Sequence, residues 1–358
     1  RYANDAAADY FQRALPLLGD AERAGVLRRL GKVLELRGGW AEAEATYGEA
    51  IEVSKRLGDV VEQARAHADL AETMRKEGRF DDARQQLLLA SEIFSLNDDH
   101  AGLGLVLHLE GTLASQQGQY DAARAAYERS LAIREQLDDR ASIGSLLSNL
   151  ALVAECEGDL EQARTMNERA LAMREELGDR WAICISQNNL GMIALLQSDF
   201  GAAQMRFQES MRLATEIGDR WIVAVGHHNL GNADVGLGEL AQAGDAFLQA
   251  LHAYEDYGDL WSVALLVEDM VLLALAKDEL VHAVELVGAA DALRTRLEAP
   301  RPPAVTSTLE AALDPVRPRL GDEESAAYER GLNLDSAALG VLLRHVGRST
   351  YPPVFTTD

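Results

Sequence analysis

The stretch Leu177-Gly178-Asp179-Arg180-Trp181 decides the fold, because it recurs. Forty residues on, the chain reads Ile217-Gly218-Asp219-Arg220-Trp221, and forty further Tyr257-Gly258-Asp259-Leu260-Trp261. Earlier in the chain the same slot holds Leu137-Asp138-Asp139-Arg140, Asn97-Asp98-Asp99-His100 and Leu57-Gly58-Asp59-Val60, with Leu18-Gly19-Asp20 one residue out of step. A fixed period of this length is the signature of a solenoid, in which each unit buries its apolar face against its neighbours.

Working outward from that stretch, each unit reads as two helices. Gly178 suits the left-handed position that closes one helix, and Asp179 suits the N-cap of the next. Asp59 with Glu62 three residues on predicts a capping box. A second turn carries Gly38, Gly78, Gly118, Gly158 or Gly238, with Ser198 in the fifth full unit. The second helix opens on Trp40, Phe80, Tyr120, Leu160, Phe200, Leu240 or Leu280. Three residues later comes an alanine (Ala43 to Ala283), four further a large residue (Tyr47, Leu87, Tyr127, Phe207, Phe247, Val287), and three further a small one. Asn167 is the exception among the large residues. These spacings lie on one helix face, and the alternation of size lets ridges enter grooves.

The pattern resembles the tetratricopeptide repeat. It carries Leu-Gly at Leu30-Gly31, Leu190-Gly191 and Leu230-Gly231, followed by Gly-x-[aromatic/Leu]-x-x-Ala-x3-[aromatic]-x2-Ala. Leu109-Glu110-Gly111 and Asp269-Met270-Val271 depart from it. The usual unit has 34 residues; here each unit is six longer and lacks the terminal proline, so both helices are expected to gain about a turn. The expected fold is all-α, a right-handed α-solenoid with a helical C-terminal cap. The array is placed at 1–297, a half repeat at 1–17 and then seven units. The cap is placed at 298–346, after the Pro300, Pro302 and Pro303 break, and a disordered tail at 347–358. The run from Ala283 to Arg294, with Pro302-Pro303, Tyr328-Glu329-Arg330-Gly331 and Leu334-Asp335, resembles the end of bacterial STAND and LuxR-type regulators, which join a signal-transduction ATPase to a repeat sensor. That resemblance implies an NTPase or effector module upstream of Arg1. The chain opens mid-helix without Met, as expected of a piece of a longer protein.

Composition narrows the function. The chain has 358 residues, 47% hydrophobic and 26% charged, with a net charge of −24. That charge opposes direct gripping of nucleic acid. No apolar run reaches the ~18 residues of a membrane span, and no signal peptide is expected before the fold. Cys156 and Cys184 lie inside helical patterns, which fits a reduced, cytoplasmic setting. Enzyme signatures are missing. There is no Gly-x4-Gly-Lys-[Ser/Thr] run, no nucleophile elbow and no metal-ligand spacing; His227-His228 point about 100° apart on a helix. No catalytic residue, metal or cofactor is expected.

The expected activity is therefore recognition of a peptide or protein segment, controlling a STAND-type ATPase. The alternatives are a sensor for a sugar or nucleotide inducer, or a constitutive assembly scaffold. By resemblance the first helices line the groove. They present Arg28, Lys32 and Glu35; Ala68, Glu72 and Arg75; His108, Thr112 and Ser115; Ser148, Leu152 and Glu155; Asn188, Met192 and Leu195; and His228, Asn232 and Val235. Asn149, Asn189 and Asn229 recur one residue further along. An Asn there can read a ligand's peptide bond, since it donates and accepts together, or it can bridge adjacent helices. Arg28, Arg29, Lys32, Arg65, Arg75 and Lys76 form a basic cluster for a carboxylate, a phosphate or the upstream part of the protein. Arg140, Arg180 and Arg220 form a row expected to pair with glutamates at the preceding helix end. Trp181, Trp221 and Trp261 form a parallel row expected to cover the seam between repeats.

Overall fold

The computed structural model describes residues 2–348, and these contain α-helices with one 3₁₀ turn and no strand. The chain divides into two compact units, Arg1–Met173 and Arg174–Asp358. The tail beyond residue 348, expected to be disordered, lies outside the described residues.

The first unit contains α1 (Tyr2–Ala14), α2 (Asp20–Leu36), α3 (Trp40–Leu57), α4 (Val60–Lys76), α5 (Phe80–Leu96), α6 (His100–Gln116), α7 (Tyr120–Gln136) and α8 (Arg140–Cys156). Helix α9 (Leu160–Leu177) runs through the division. The second unit continues with α10 (Arg180–Leu196), α11 (Phe200–Ile217), α12 (Arg220–Leu237), α13 (Leu240–Tyr257), α14 (Leu260–Ala276) and α15 (Leu280–Arg296). It closes with α16 (Pro303–Leu313), α17 (Arg317–Leu320), α18 (Glu323–Leu332) and α19 (Ser336–Gly347).

The turns explain the regularity. Left-handed residues recur at even spacing from Gly38 to Glu298, once after each helix from α2 to α15. Nine of these slots hold glycine, and Asp98, Asp138, Ser198, Asp278 and Glu298 hold the rest. Glycine suits the slot because a Cβ is strained there. After Gly178 the Asp179 amide donates to Arg174 and the Gly178 amide to Glu175, which satisfies two terminal carbonyls. The next helix is then capped by aspartate. The side chains of Asp59, Asp99, Asp139, Asp179, Asp219 and Asp259 each accept from the third amide of the new helix. Two details differ from the sequence reading. Asp20 is the first helical residue and Gly19 the cap. The Glu62 carboxylate does not complete a capping box; it accepts from Arg28 at 3.0 Å, a partner 34 residues away that periodicity does not reveal.

Within a repeat the helices meet through a pair of positions sixteen residues apart. A Cβ built on Gly31 would lie 2.6 Å from the Tyr47 ring, on Gly111 2.6 Å from Tyr127, on Gly191 2.5 Å from Phe207 and on Gly231 2.6 Å from Phe247. Each glycine makes room for one ring. Where the first position is Ala71 the second is Leu87, and both are buried in one cluster. The same two positions hold Ala151 with Asn167 and Val271 with Val287, so a ring appears at the second only where the first is glycine. Gly111 therefore keeps the usual packing in the repeat where Leu109-Glu110 breaks the motif.

First helices also touch across repeats: α2 with α4, α4 with α6 and α6 with α8 in the first unit, and α10 with α12 and α12 with α14 in the second. Among the described residues no comparable contact between second helices is seen, so within each unit the first helices form the inner side of the curve. The C-terminal helices fold back on the end of the second unit. Helix α18 crosses α15 where Gly288 and Gly331 bring the backbones together, and α19 packs on α13 and α14. Lys277 Nζ donates to the carbonyls of Val346 (2.5 Å) and Arg348 (3.0 Å), which anchors the end of α19. A buried carboxylate, Glu268, accepts from Arg294 (3.0 and 2.8 Å) and Arg301 (2.8 Å), tying α14 to α15 and to the turn before α16.

Candidate functional site

The inner-face positions obey a rule that joins successive repeats. In four cases a residue two places before the Leu of one repeat bonds to the residue one place before the Leu of the next, 41 positions on. Arg28 Nε donates to Asp69 at 2.6 Å. Asn149 Nδ2 donates to His108 Nε2 at 2.9 Å. Asn229 Nδ2 donates to Asn188 Oδ1 at 2.8 Å. His228 Nε2 lies 2.8 Å from Asp269 Oδ2. Where the first slot is Ala68 the second is Leu109, an apolar pair in the same place. Asn149 and Asn229 thus bridge adjacent first helices.

In the first unit the basic cluster is interleaved with acids. Arg28 pairs with Asp69 and Glu62, Lys32 with Glu35 (3.1 Å), Arg65 with Glu62 (3.6 Å), and Arg75 with Glu72 through two nitrogens. Lys76 pairs with Glu35 and with Glu72 (3.4 Å), while Arg29 is exposed. Glu35 is only 3% exposed and also accepts from Tyr47 and Thr73. Burial pushes its carboxyl up, but Lys76 and Lys32 outweigh this and hold it below the usual carboxylate range. A cleft of about 520 Å³ opens beside Arg28, Arg29, Lys32 and Arg65. An anion entering it would compete with carboxylates already in place. On the third full repeat, His108 is half-buried against the edge of Tyr127. Burial, then the neighbouring Arg134, depress its pKa, which suits the neutral ring that accepts from Asn149.

In the second unit the face is polar and built mainly of amides, with Asp269 as its carboxylate. Asn188, Asn189, Met192, Asn229 and Asn232 are all half-buried. His228 is more deeply placed than the groove reading expects, at 7% exposure. A single tautomer satisfies its ring: Nε2–H donates to Asp269, and Nδ1 accepts from the Tyr254 hydroxyl at 3.3 Å. Asn232 Nδ2 donates to the same Asp269 oxygen at 2.7 Å. His228 is therefore held inside the stack, because a neighbouring carboxylate and a phenol are both present to satisfy it. Since Asn229 donates and Asn188 accepts, the pair still presents the Asn188 amide hydrogens and the Asn229 carbonyl. Ser148, in the first unit, is half-buried with its hydroxyl shielded.

Asp269 and Tyr254 are absent from the sequence-derived site. Asp269 occupies the slot of Asn149, Asn189 and Asn229, and that signal was readable. The arginine row pairs forward: Arg180 with Glu216, and Arg220 with Asp256 at 3.7 Å, both on the following helix end and not the preceding one. The tryptophans are about half exposed. Trp221 packs against Tyr254 and Tyr257 at 5.6 and 5.4 Å, Trp181 donates to Asp219 at 3.2 Å, and Arg294 lies 4.7 Å above Trp261.

Equal helix pairs, a small-for-large contact within each pair and a first-helix inner face define a helix-pair repeat of the tetratricopeptide class. The tetratricopeptide repeat model matches residues 22–95, 70–136, 102–176, 142–216 and 182–256. The chain belongs to the tetratricopeptide repeat family, whose fold typically serves as a non-catalytic protein-interaction scaffold. No curated protein matches the sequence. Among solved structures, a STAND protein with a tetratricopeptide repeat sensor from Pyrococcus horikoshii aligns with TM-score 0.62 at 14% identity, over 95% of this chain and 52% of that one. A Rap protein complexed with Competence and Sporulation Factor aligns with TM-score 0.56 at 15% identity, over 76% and 79%. BtubC from P. vanneervenii aligns with TM-score 0.50 at 22% identity, over 61% and 90%. At these identities the likeness is one of fold. No helix among the described residues is long and apolar enough to cross a membrane.

Proposed function

We propose that this chain is a sensor region whose inner face binds an extended peptide or protein segment. In the full protein it governs a STAND-type ATPase placed before Arg1. The observation that carries the reading is the Asn188–Asn229 pair with Asn232 beside it. Hydrogen bonds between repeats hold these amides still, so they present a donor and acceptors at little further cost in side-chain entropy. A donor beside an acceptor is the complement of a peptide bond. Met192 and Val235, half-buried nearby, supply apolar contact between the polar groups. The fold likeness to the Pyrococcus horikoshii sensor supports the regulatory part. A ligand spanning two repeats prefers one spacing of their first helices, and that preference can be passed along a stack of nearest neighbours.

Selection from a displayed library of random peptides tests the reading. Enriched peptides should bind the Asn188→Ala/Asn232→Ala variant at least ~10-fold more weakly, since two hydrogen bonds of about 1 kcal/mol each are lost. No enrichment, or equal affinity for parent and variant, would reject it.

A further inference from the structure

A second site lies where the C-terminal helices meet the array, and it is independent of the inner face. Glu279, His282 and His345 converge there. Glu279 and His282 sit three residues apart at the start of α15, and His345 comes from the last turn of α19. Their ligand atoms all lie within 4.8 Å of one another. The Glu279 carboxylate and His282 Nδ1 are 3.4 Å apart. Tetrahedral zinc, with bonds of about 2.0–2.1 Å, places neighbouring ligand atoms about 3.3 Å apart, so one edge of the polyhedron is already formed. The two imidazoles meet edge to face with ring centres 4.6 Å apart.

Glu279 is the N-cap of α15, yet its side chain accepts no capping bond. Its carboxylate is therefore turned to the histidine and not to its own helix. His282 and Glu279 are half-buried, while His345 is exposed and can swing the remaining distance by side-chain rotation. The surroundings are mixed in charge. Lys277 is held by the α19 carbonyls, and Asp278 is paired with Arg319 at 2.7 Å.

We infer that Glu279, His282 and His345 bind a divalent transition metal, of the zinc, cobalt or nickel class, that clamps α19 onto the start of α15. Two imidazoles and one carboxylate select such ions over calcium or magnesium, which take oxygen ligands. Three protein ligands leave a position open to solvent beside His345. The ligands lie 66 residues apart at their widest, so no short metal motif spans all three in the sequence.

Cobalt(II) titration of the whole chain tests this, with variants chosen to separate ligation from packing. His345→Phe keeps a ring at the edge-to-face contact but removes the ligand nitrogen. Glu279→Gln keeps the shape and removes the charge. The parent should take up one equivalent of cobalt with visible d–d absorption, and zinc should raise its melting temperature. Both variants should fold and bind at least ~10-fold more weakly, with the thermal shift lost. The assignment falls if the parent shows no d–d bands, or if the bands and the zinc-induced shift persist in His345→Phe.

Discussion

Replacing Gly191 by alanine should destabilise the second unit, although alanine is the better helix former. The helix preference favours alanine by about 1 kcal/mol. Against it, the new Cβ would lie 2.5 Å from Phe207 Cε1 and 2.7 Å from Cδ1, where carbon atoms rest at about 3.5–4.0 Å. The ring must move by about 1 Å. It is fully buried and packs with Ala194, Ala203 and Ala233, so it has no free side to move toward. Overpacking of this kind costs about 1–3 kcal/mol, and a fully enclosed ring takes the upper part of that range, about 2–3 kcal/mol, which leaves a net loss of about 1–2 kcal/mol. Phe207→Leu alone should cost about 1 kcal/mol or somewhat more in lost burial. The double variant recreates the Ala71 and Leu87 combination that the second full repeat already uses. It should be no less stable than Phe207→Leu alone, a coupling of about 1–2 kcal/mol in favour of the pair. Thermal and urea unfolding of the four proteins measure this cycle. Losses that add to within ~0.5 kcal/mol, or a Gly191→Ala variant as stable as the parent, would refute the volume-sharing argument.

Two further predictions concern pH and backbone strain. Because the folded pKa of His108 lies below that of the free side chain, the unfolded chain takes up the proton first; stability is complete above about pH 6.5 and falls as pH drops below it, with a slope of up to about 1.4 kcal/mol per pH unit. Melting temperatures at pH 5.5 and 7.5 should converge in His108→Gln relative to the parent, and an unchanged difference would show that His108 is not responsible. Ser198 holds a φ of 59° in a slot where nine other turns use glycine, so Ser198→Gly should stabilise by about 0.5–1 kcal/mol, the strain released less the added freedom of the unfolded chain, raising the melting temperature by roughly 2 °C; a lowered one would refute the strain.

Most of the helix plan was legible in the sequence because it rests on local rules. The glycine and aspartate of each turn act within five or six residues, and the apolar spacing acts within one helix. Partners between repeats were less visible, since Arg28 with Asp69 or His228 with Asp269 requires knowing which faces of two helices meet. Once a shift of 41 is applied, the pairs can be read, including the apolar exchange of Ala68 and Leu109. The Glu279–His282–His345 convergence follows no period at all, because the C-terminal helices leave the repeat before α19 returns to the stack.

The same shift limits what polarity on the inner face can mean. A polar residue whose partner sits one repeat away is first a part of the stack: removing Asp269 would leave the buried His228 ring without its acceptor, at a cost of about 1–3 kcal/mol, whatever the ligand. Loss of binding in an Asp269 or His228 variant would therefore not identify a contact residue. Asn188 and Asn232 differ, since each is half-buried and uses only part of its amide within the stack. Binding measured on those two separates recognition from assembly, provided that melting temperature is measured beside it. If truncating them lowered stability as much as affinity, the second unit's face would be a seam between helices and not a reading surface.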